Sequence, residues 1–137
     1  MIQTYQSKLW PYPDSNILNR RTLLEMIIFK ILQTLEWRDL CAQKETLGAP
    51  VDQADGYIHF STAAQVEETL SKHFSGVSGL VLIAYEASIF GDALRWEVSR
   101  GGALFPHLYS KLPLRGILWH HELKLQNGVH ILPNLNG

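Results

Sequence analysis

Residues able to move protons or hold charge concentrate in three short stretches: 55–61 (Asp-Gly-Tyr-Ile-His-Phe-Ser), 95–97 (Arg-Trp-Glu) and 107–109 (His-Leu-Tyr). In an extended strand, side chains two apart share a face. That rule sets Tyr57, His59 and Ser61 on one side and sends Ile58 and Phe60 to the core. It sets Arg95 beside Glu97 on a second strand, with Leu94, Trp96 and Val98 buried behind them. His107 and Tyr109 are also two apart, beside Pro106. Brought together, these segments would supply imidazoles for proton transfer, a guanidinium for phosphate and a carboxylate for developing positive charge. Each residue also has a plainer reading. His59 fits a core histidine bonded to a carbonyl, Ser61 the start of a helix cap, and Tyr109 a packing residue. Arg95 and Glu97 fit an exposed cross-strand pair worth a few tenths of a kcal/mol. A polar solvent face on an antiparallel sheet shows the same alternation, so pattern alone divides evenly between a site and a solvated surface.

Other chemistries find less support. His120 and His121 are strand neighbours and face opposite sides; His73 falls at a helix end and His130 near a hairpin. No metal is expected, because no histidine spacing suits a chelate, and a metal-dependent hydrolase using His59, His107 and Glu97 is the weakest reading. Glycine-rich dinucleotide loops, phosphate-binding loops and nucleophile elbows do not occur. Cys41 stands alone, which excludes an internal disulfide and points to a reducing, cytoplasmic setting. The first residues lack the pattern of a signal peptide. The longest apolar run, Leu80 to Tyr85, is far shorter than the ~20 residues of a membrane span. A net charge of −1 argues against a general nucleic-acid surface, although an RNA end remains open as a substrate. Residues 93–115 carry Arg95, Arg100, Lys111 and Arg115 against Glu97 alone, a balance that would draw a small phosphorylated molecule. Lys111 and Arg115 fit better as ordinary surface residues.

The elements that must position these groups follow from periodicity and breakers. At 137 residues the chain suits one domain. Residues 1–25, with Pro11 and Pro13 and only weak helical spacing, suit either an N-terminal extension ahead of a natural start at Met26 or an arm packing on a neighbour, with 26–137 the domain. Ile27–Leu32 reads as a buried strand and Thr34–Ala42 as a helix turning Leu35, Leu40 and Cys41 inward. Gly48-Ala49-Pro50 opens a loop to Asp55-Gly56, and Tyr57–Ser61 is a strand. Thr62 with Gln65 caps a helix striped by Val66, Leu70 and Phe74. Leu80–Glu86 and Leu94–Val98 are strands, joined by way of a Ser99–Gly102 turn to an irregular Ala103–Tyr109. Arg115–Leu125 is the last long strand, and Asn127-Gly128 a two-residue hairpin leading to Val129–Leu132. Five or six strands with two early helices indicate an α+β fold.

The blocks Asp55-Gly-Tyr-Ile-His-Phe-Ser-Thr62, Leu94-Arg-Trp-Glu97 and Arg100-Gly-Gly-Ala-Leu-Phe-Pro-His-Leu-Tyr109 resemble the signature of domain of unknown function 952. The resemblance covers about residues 27–123 and makes Asn127–Gly137 an additional tail. It implies a fold similar to the ADP-ribosyltransferase superfamily, with five to six mostly antiparallel strands in two small sheets. Members of that superfamily cradle NAD or ADP-ribose between the sheets. By this resemblance His59 binds the nicotinamide-side ribose, Tyr109 or Tyr57 lies near nicotinamide, and Glu97 is the acid. Glu122 is the other acid by position, since the superfamily often places its acid on a later strand. The implied catalytic set is His59, Glu97 and Tyr109; Asp55, Tyr57, Ser61, Arg95, Arg100 and His107 would bind the ligand, with NAD as co-substrate. The function implied is glycosyl or phosphoryl transfer or hydrolysis on NAD, ADP-ribose or a related phosphorylated nucleoside. The alternative is a non-catalytic module that binds a nucleotide or another small anion.

Overall fold

The computed structural model describes Leu23 and Met26–Leu135, so the expected extension over residues 1–25 lies, Leu23 apart, outside the described residues. β1 (Ile27–Gln33) and β5 (Leu80–Glu86) pair antiparallel along their whole length, from Ile27 opposite Glu86 to Gln33 opposite Leu80. Both are apolar runs because both lie buried on two faces. One face gathers Ile28, Leu32, Ile83 and Tyr85 with Leu40, Ile58, Phe60 and Leu108. The opposite face gathers Phe29, Ile31, Leu80 and Leu82 with Val66, Leu70 and Leu123.

α1 (Thr34–Gln43) follows β1 without a break, and Glu36 Oε1 accepts the Gln33 N–H at 2.8 Å. Leu40 is buried as expected, but Leu35 is 70% exposed and Trp37 packs inward instead. β2 (Glu45–Thr46) comes next. The loop expected from Gly48 to Asp55 is a helix, α2 (Pro50–Asp55). Pro50 takes the first helical position, where its missing N–H costs nothing, and Asp52 Oδ2 accepts the Ala49 N–H at 2.8 Å.

The expected strand Tyr57–Ser61 is two strands in two sheets. β3 (Ile58–His59) pairs with β7 (Leu104–Leu108), while β4 (Ser61–Thr62) pairs with β1. Proline explains the division. Phe60 N–H donates to the Pro106 carbonyl at 3.0 Å, but Pro106 has no N–H to return. The ladder stops there, and the chain crosses to β1. Pro106 does not make 103–109 irregular, as expected; β7 is the middle strand between β3 and β6 (Leu94–Val98).

α3 (Ala63–His73) starts as expected, with Gln65 Oε1 accepting the Thr62 N–H at 3.0 Å and Val66 and Leu70 buried. The last long strand, β9 (Trp119–Gln126), begins four residues later than expected, after a turn in which Gly116 takes φ +100°. Asn127 (φ 54°) and Gly128 (φ 80°) then return the chain through β10 (Val129–Ile131), the expected hairpin. β8 (Leu112–Pro113) pairs with β2. The fold is α+β, and every strand pairing among the described residues is antiparallel. Among the described residues the sheets number three rather than two and the strands ten rather than five or six, because several are two-residue pairings too short to show in the sequence: five strands (β10-β9-β5-β1-β4), three (β3-β7-β6) and two (β2-β8). No described helix is long and apolar enough to cross a membrane.

Candidate functional site

The three-stranded sheet aligns the chemistry. His59 lies opposite His107, and His107 opposite Arg95, so one rung crosses all three strands. Ile58, Leu94, Trp96 and Leu108 turn to the core behind it, although Val98, expected with them, is 61% exposed. Tyr57 is the hub of the rings on the polar face. Its centroid lies 4.0 Å from His107 in a stacked pair, 4.7 Å from His59 and 5.3 Å from Tyr109. Arg95 places its guanidinium carbon 4.3 Å from the Tyr109 ring centroid, a cation–π contact at the rim.

Glu97 ties this cluster together through one oxygen. Its Oε1 accepts from Tyr109 Oη at 2.8 Å and meets His107 Nδ1 at 2.7 Å. A carboxylate can only accept, so the His107 proton sits on Nδ1. Burial pulls His107 below the ordinary 6.5, while the bond to Glu97 and its charge push back, leaving a net downward shift. Burial, then the bond and charge of Glu97, push Tyr109 up to about 12. Tyr57 is also raised, by burial and by the charges of Asp55, Glu97 and Asp52. Both phenols are therefore hydroxyl donors at neutral pH.

His59 is held from two sides. Nδ1 lies 2.5 Å from Asp52 Oδ1, which also accepts the His59 backbone N–H at 3.1 Å. Nε2 lies 3.0 Å from Asp55 Oδ2. Asp52 is 1% exposed, and its Oδ2 accepts from Lys30 Nζ and from the Ala49 N–H, both at 2.8 Å. Burial alone would raise its pKa, but the His59 bond, the Lys30 charge and bond, and the Ala49 amide outweigh burial and hold it at about 2. Lys30, itself buried, sits on β1 between Ile28 and Leu32, so the ion pair runs from the large sheet to the site. Neither Lys30 nor Asp52 was among the expected site residues. The available signal was a lysine inside the apolar run 27–32, since a buried cation requires a carboxylate partner.

Of the expected residues, Asp55, Tyr57, His59, Arg95, Glu97, His107 and Tyr109 come together. Ser61 does not. It is buried on β4, with Oγ 3.0 Å from Thr69 Oγ1, because the break at Phe60 moves it to the large sheet. Arg100 lies in the short turn Arg100–Gly102 after β6. Glu122 is exposed on β9 opposite Val81, on the large sheet. Lys111 pairs with Glu45 at 3.1 Å on the surface. No group of three His, Cys, Asp or Glu among the described residues is arranged to hold a metal ion. Beside Tyr57 and Tyr109 an open groove of about 350 Å³ continues the site past Leu47, Gln53, Ser110 and Lys111.

The crystal structure of protein CC0527 from Caulobacter crescentus is similar to this chain, at 45% identity with a TM-score of 0.74, covering 77% of this chain and 93% of that one. The solution structure of the same Caulobacter protein gives 46% identity and a TM-score of 0.69, covering 75% and 90%. No protein with a curated description matches. A family described as "Protein of unknown function (DUF952)" matches residues 31–120, which run from within β1 to the start of β9 and contain the polar cluster from Asp52 to Tyr109. The chain belongs to the DUF952 family.

Proposed function

We propose that the polar face of the three-stranded sheet is an active site for NAD, ADP-ribose or a related phosphorylated nucleoside, on an ADP-ribosyltransferase-like fold. The observation that carries this reading is Glu97, a carboxylate kept in place by His107 and Tyr109 and flanked by Tyr57, His59 and Arg95. Cleaving a nicotinamide–ribose bond leaves the electron pair on nicotinamide and positive charge at the anomeric carbon. A fixed carboxylate lowers the barrier by stabilising that charge. Water, or another nucleophile, then adds to the anomeric carbon and loses a proton. His59 and Arg95 hold the ribose phosphate, and the tyrosines supply stacking surface. The Tyr57 and Tyr109 rings are 5.3 Å apart, too close to admit a flat ring, which needs about 7 Å between two partners. The base or nicotinamide therefore stacks on a tyrosine face that neither His107, which covers one face of Tyr57, nor Arg95, which covers one face of Tyr109, already occupies.

The test is a thermal-shift panel of NAD, ADP-ribose, nicotinamide, nucleotides and phosphosugars, followed by turnover assays with the ligands that bind. A ligand at 100 times its Kd adds about 2.7 kcal/mol, a clear shift for a domain this small. Glu97→Gln should abolish turnover while leaving affinity largely intact. Nucleotide binding by the wild type without turnover would replace the enzyme with a binding module. No response to any nucleotide would discard the proposal.

A further inference from the structure

The two carboxylates on α2 treat the His59 ring differently. Asp52 is locked: its side chain has no exposure and its oxygens face four N–H groups, from Lys30, Ala49, the His59 backbone and the His59 ring. Asp55 sits three residues on, at the end of the helix, and its side chain is 44% exposed. It meets the outward nitrogen, Nε2, with one oxygen at 3.0 Å. Gly56 follows at φ +88° and closes the helix, so Asp55 is its last residue and its half-exposed side chain borders solvent. With Asp55 in place, a ligand oxygen cannot take the same position against Nε2.

We infer that Asp55 holds the place of a ligand phosphate oxygen at His59 Nε2, and that a ribose phosphate enters by displacing this carboxylate while Asp52 keeps the ring oriented. Carboxylate and phosphate oxygens are both anionic acceptors and take the same kind of N–H bond. The exchange keeps the ring nitrogen partnered in both states. It also removes a negative charge from a face that already holds Asp52 and Glu97 when the anion arrives. Asp55 thereby sets a threshold: a neutral sugar oxygen competes poorly with a carboxylate, and a phosphate competes well. The assignment rests on the nucleotide reading for the identity of the ligand, but not for the displacement itself.

The experiment compares the wild type with Asp55→Ala, using inorganic phosphate and ADP-ribose as separate probes. Calorimetry gives affinity, and 15N spectra of the histidine side chains follow the two ring nitrogens of His59. Removing a half-exposed competing carboxylate should tighten phosphate roughly two- to fivefold. In the wild type, phosphate should move the Nε2 resonance and leave Nδ1 nearly still. Asp52→Asn serves as the positioning control and should shift Nδ1 before any probe is added. Unchanged or weaker phosphate binding by Asp55→Ala, or a silent Nε2, overturns the inference. ADP-ribose binding with a silent Nε2 overturns it while leaving the nucleotide reading intact. An Nε2 response to phosphate with no ADP-ribose binding does the reverse.

Discussion

Replacing Asp52 with asparagine tests the physical basis of the site. The carboxylate is buried and accepts from four N–H groups, one of them the ammonium of buried Lys30. Its pKa lies at about 2 against an ordinary 3.8, which is worth about 2 kcal/mol of folding stability when the group is ionised. Asparagine removes more than that. Its NH2 must face Lys30 and Ala49 or His59, so donors oppose donors, and the Lys30 ammonium loses its counter-charge. Breaking a buried ion pair from one side costs roughly 3–5 kcal/mol. That range should lower the Tm by on the order of 10 °C or more. Urea unfolding at pH 7, followed by tryptophan fluorescence and far-UV circular dichroism, measures it directly. The pH dependence has a definite sign. Because folding depresses this pKa, the Asp52 contribution is complete above 3.8 and is lost as pH falls toward about 2. The gap between wild type and variant should therefore narrow between pH 5 and pH 2. The double variant Lys30→Met, Asp52→Asn should lose less than the two single losses together, since neither partner is then left alone. A single variant within about 1 kcal/mol of wild type, or a gap unchanged at low pH, would refute the reasoning.

Other consequences can be checked separately. Gly48→Ala puts a methyl 2.7 Å from both Cβ and Oδ2 of Asp52 at φ +100°, and urea unfolding should show a loss of about 2 kcal/mol or more. Gln65 caps α3 through Oε1 and donates from Nε2 to the Leu104 carbonyl at 2.7 Å; Gln65→Ala should cost about 2 kcal/mol, and Gln65→Glu about half of that because it keeps the cap but loses the donor. His107 should titrate below 6.5, and Glu97→Gln should lower its NMR midpoint further by removing the charge that raises it while keeping an acceptor for Nδ1; an upward move would contradict the assignment. Since folding lowers the His107 value, its contribution to stability is complete above pH 6.5 and declines as pH falls below it.

Most of the fold was legible because its signals are local. The apolar runs of β1 and β5, the Thr62–Gln65 helix start and the Asn127-Gly128 turn each satisfy a rule within a few residues. The misreadings share a cause, which is that a partner elsewhere decides. Gly48-Ala49-Pro50 looks like a breaker, yet it opens α2 because Asp52 caps Ala49 and anchors to Lys30, 22 residues earlier. Leu35 satisfies the helical stripe, yet the core contact goes to Trp37, whose ring also meets His120 on β9 at 4.6 Å.

Pro106 is the most instructive of these cases, because one missing N–H both splits a strand and selects the site. Alternation assigns Tyr57, His59 and Ser61 to one face only while the strand is continuous. Phe60 loses its return bond at Pro106, so the chain leaves the small sheet after His59 and joins β1 at Ser61. The crossing sends Ser61 to the large sheet, against Thr69 of α3, and leaves His59 on the small sheet beside His107. His59 is then two residues from a junction between sheets, where backbone pairing alone would hold it loosely. The Lys30–Asp52 pair answers that problem, since it joins β1 of the large sheet to both the ring and the backbone N–H of His59. A charge buried at β1 therefore has a positional reason, and the energetic cost of burying it is met by four N–H groups on one carboxylate. A hydrophobic pair in its place would fill the space but leave His59 Nδ1 without the acceptor that orients the ring.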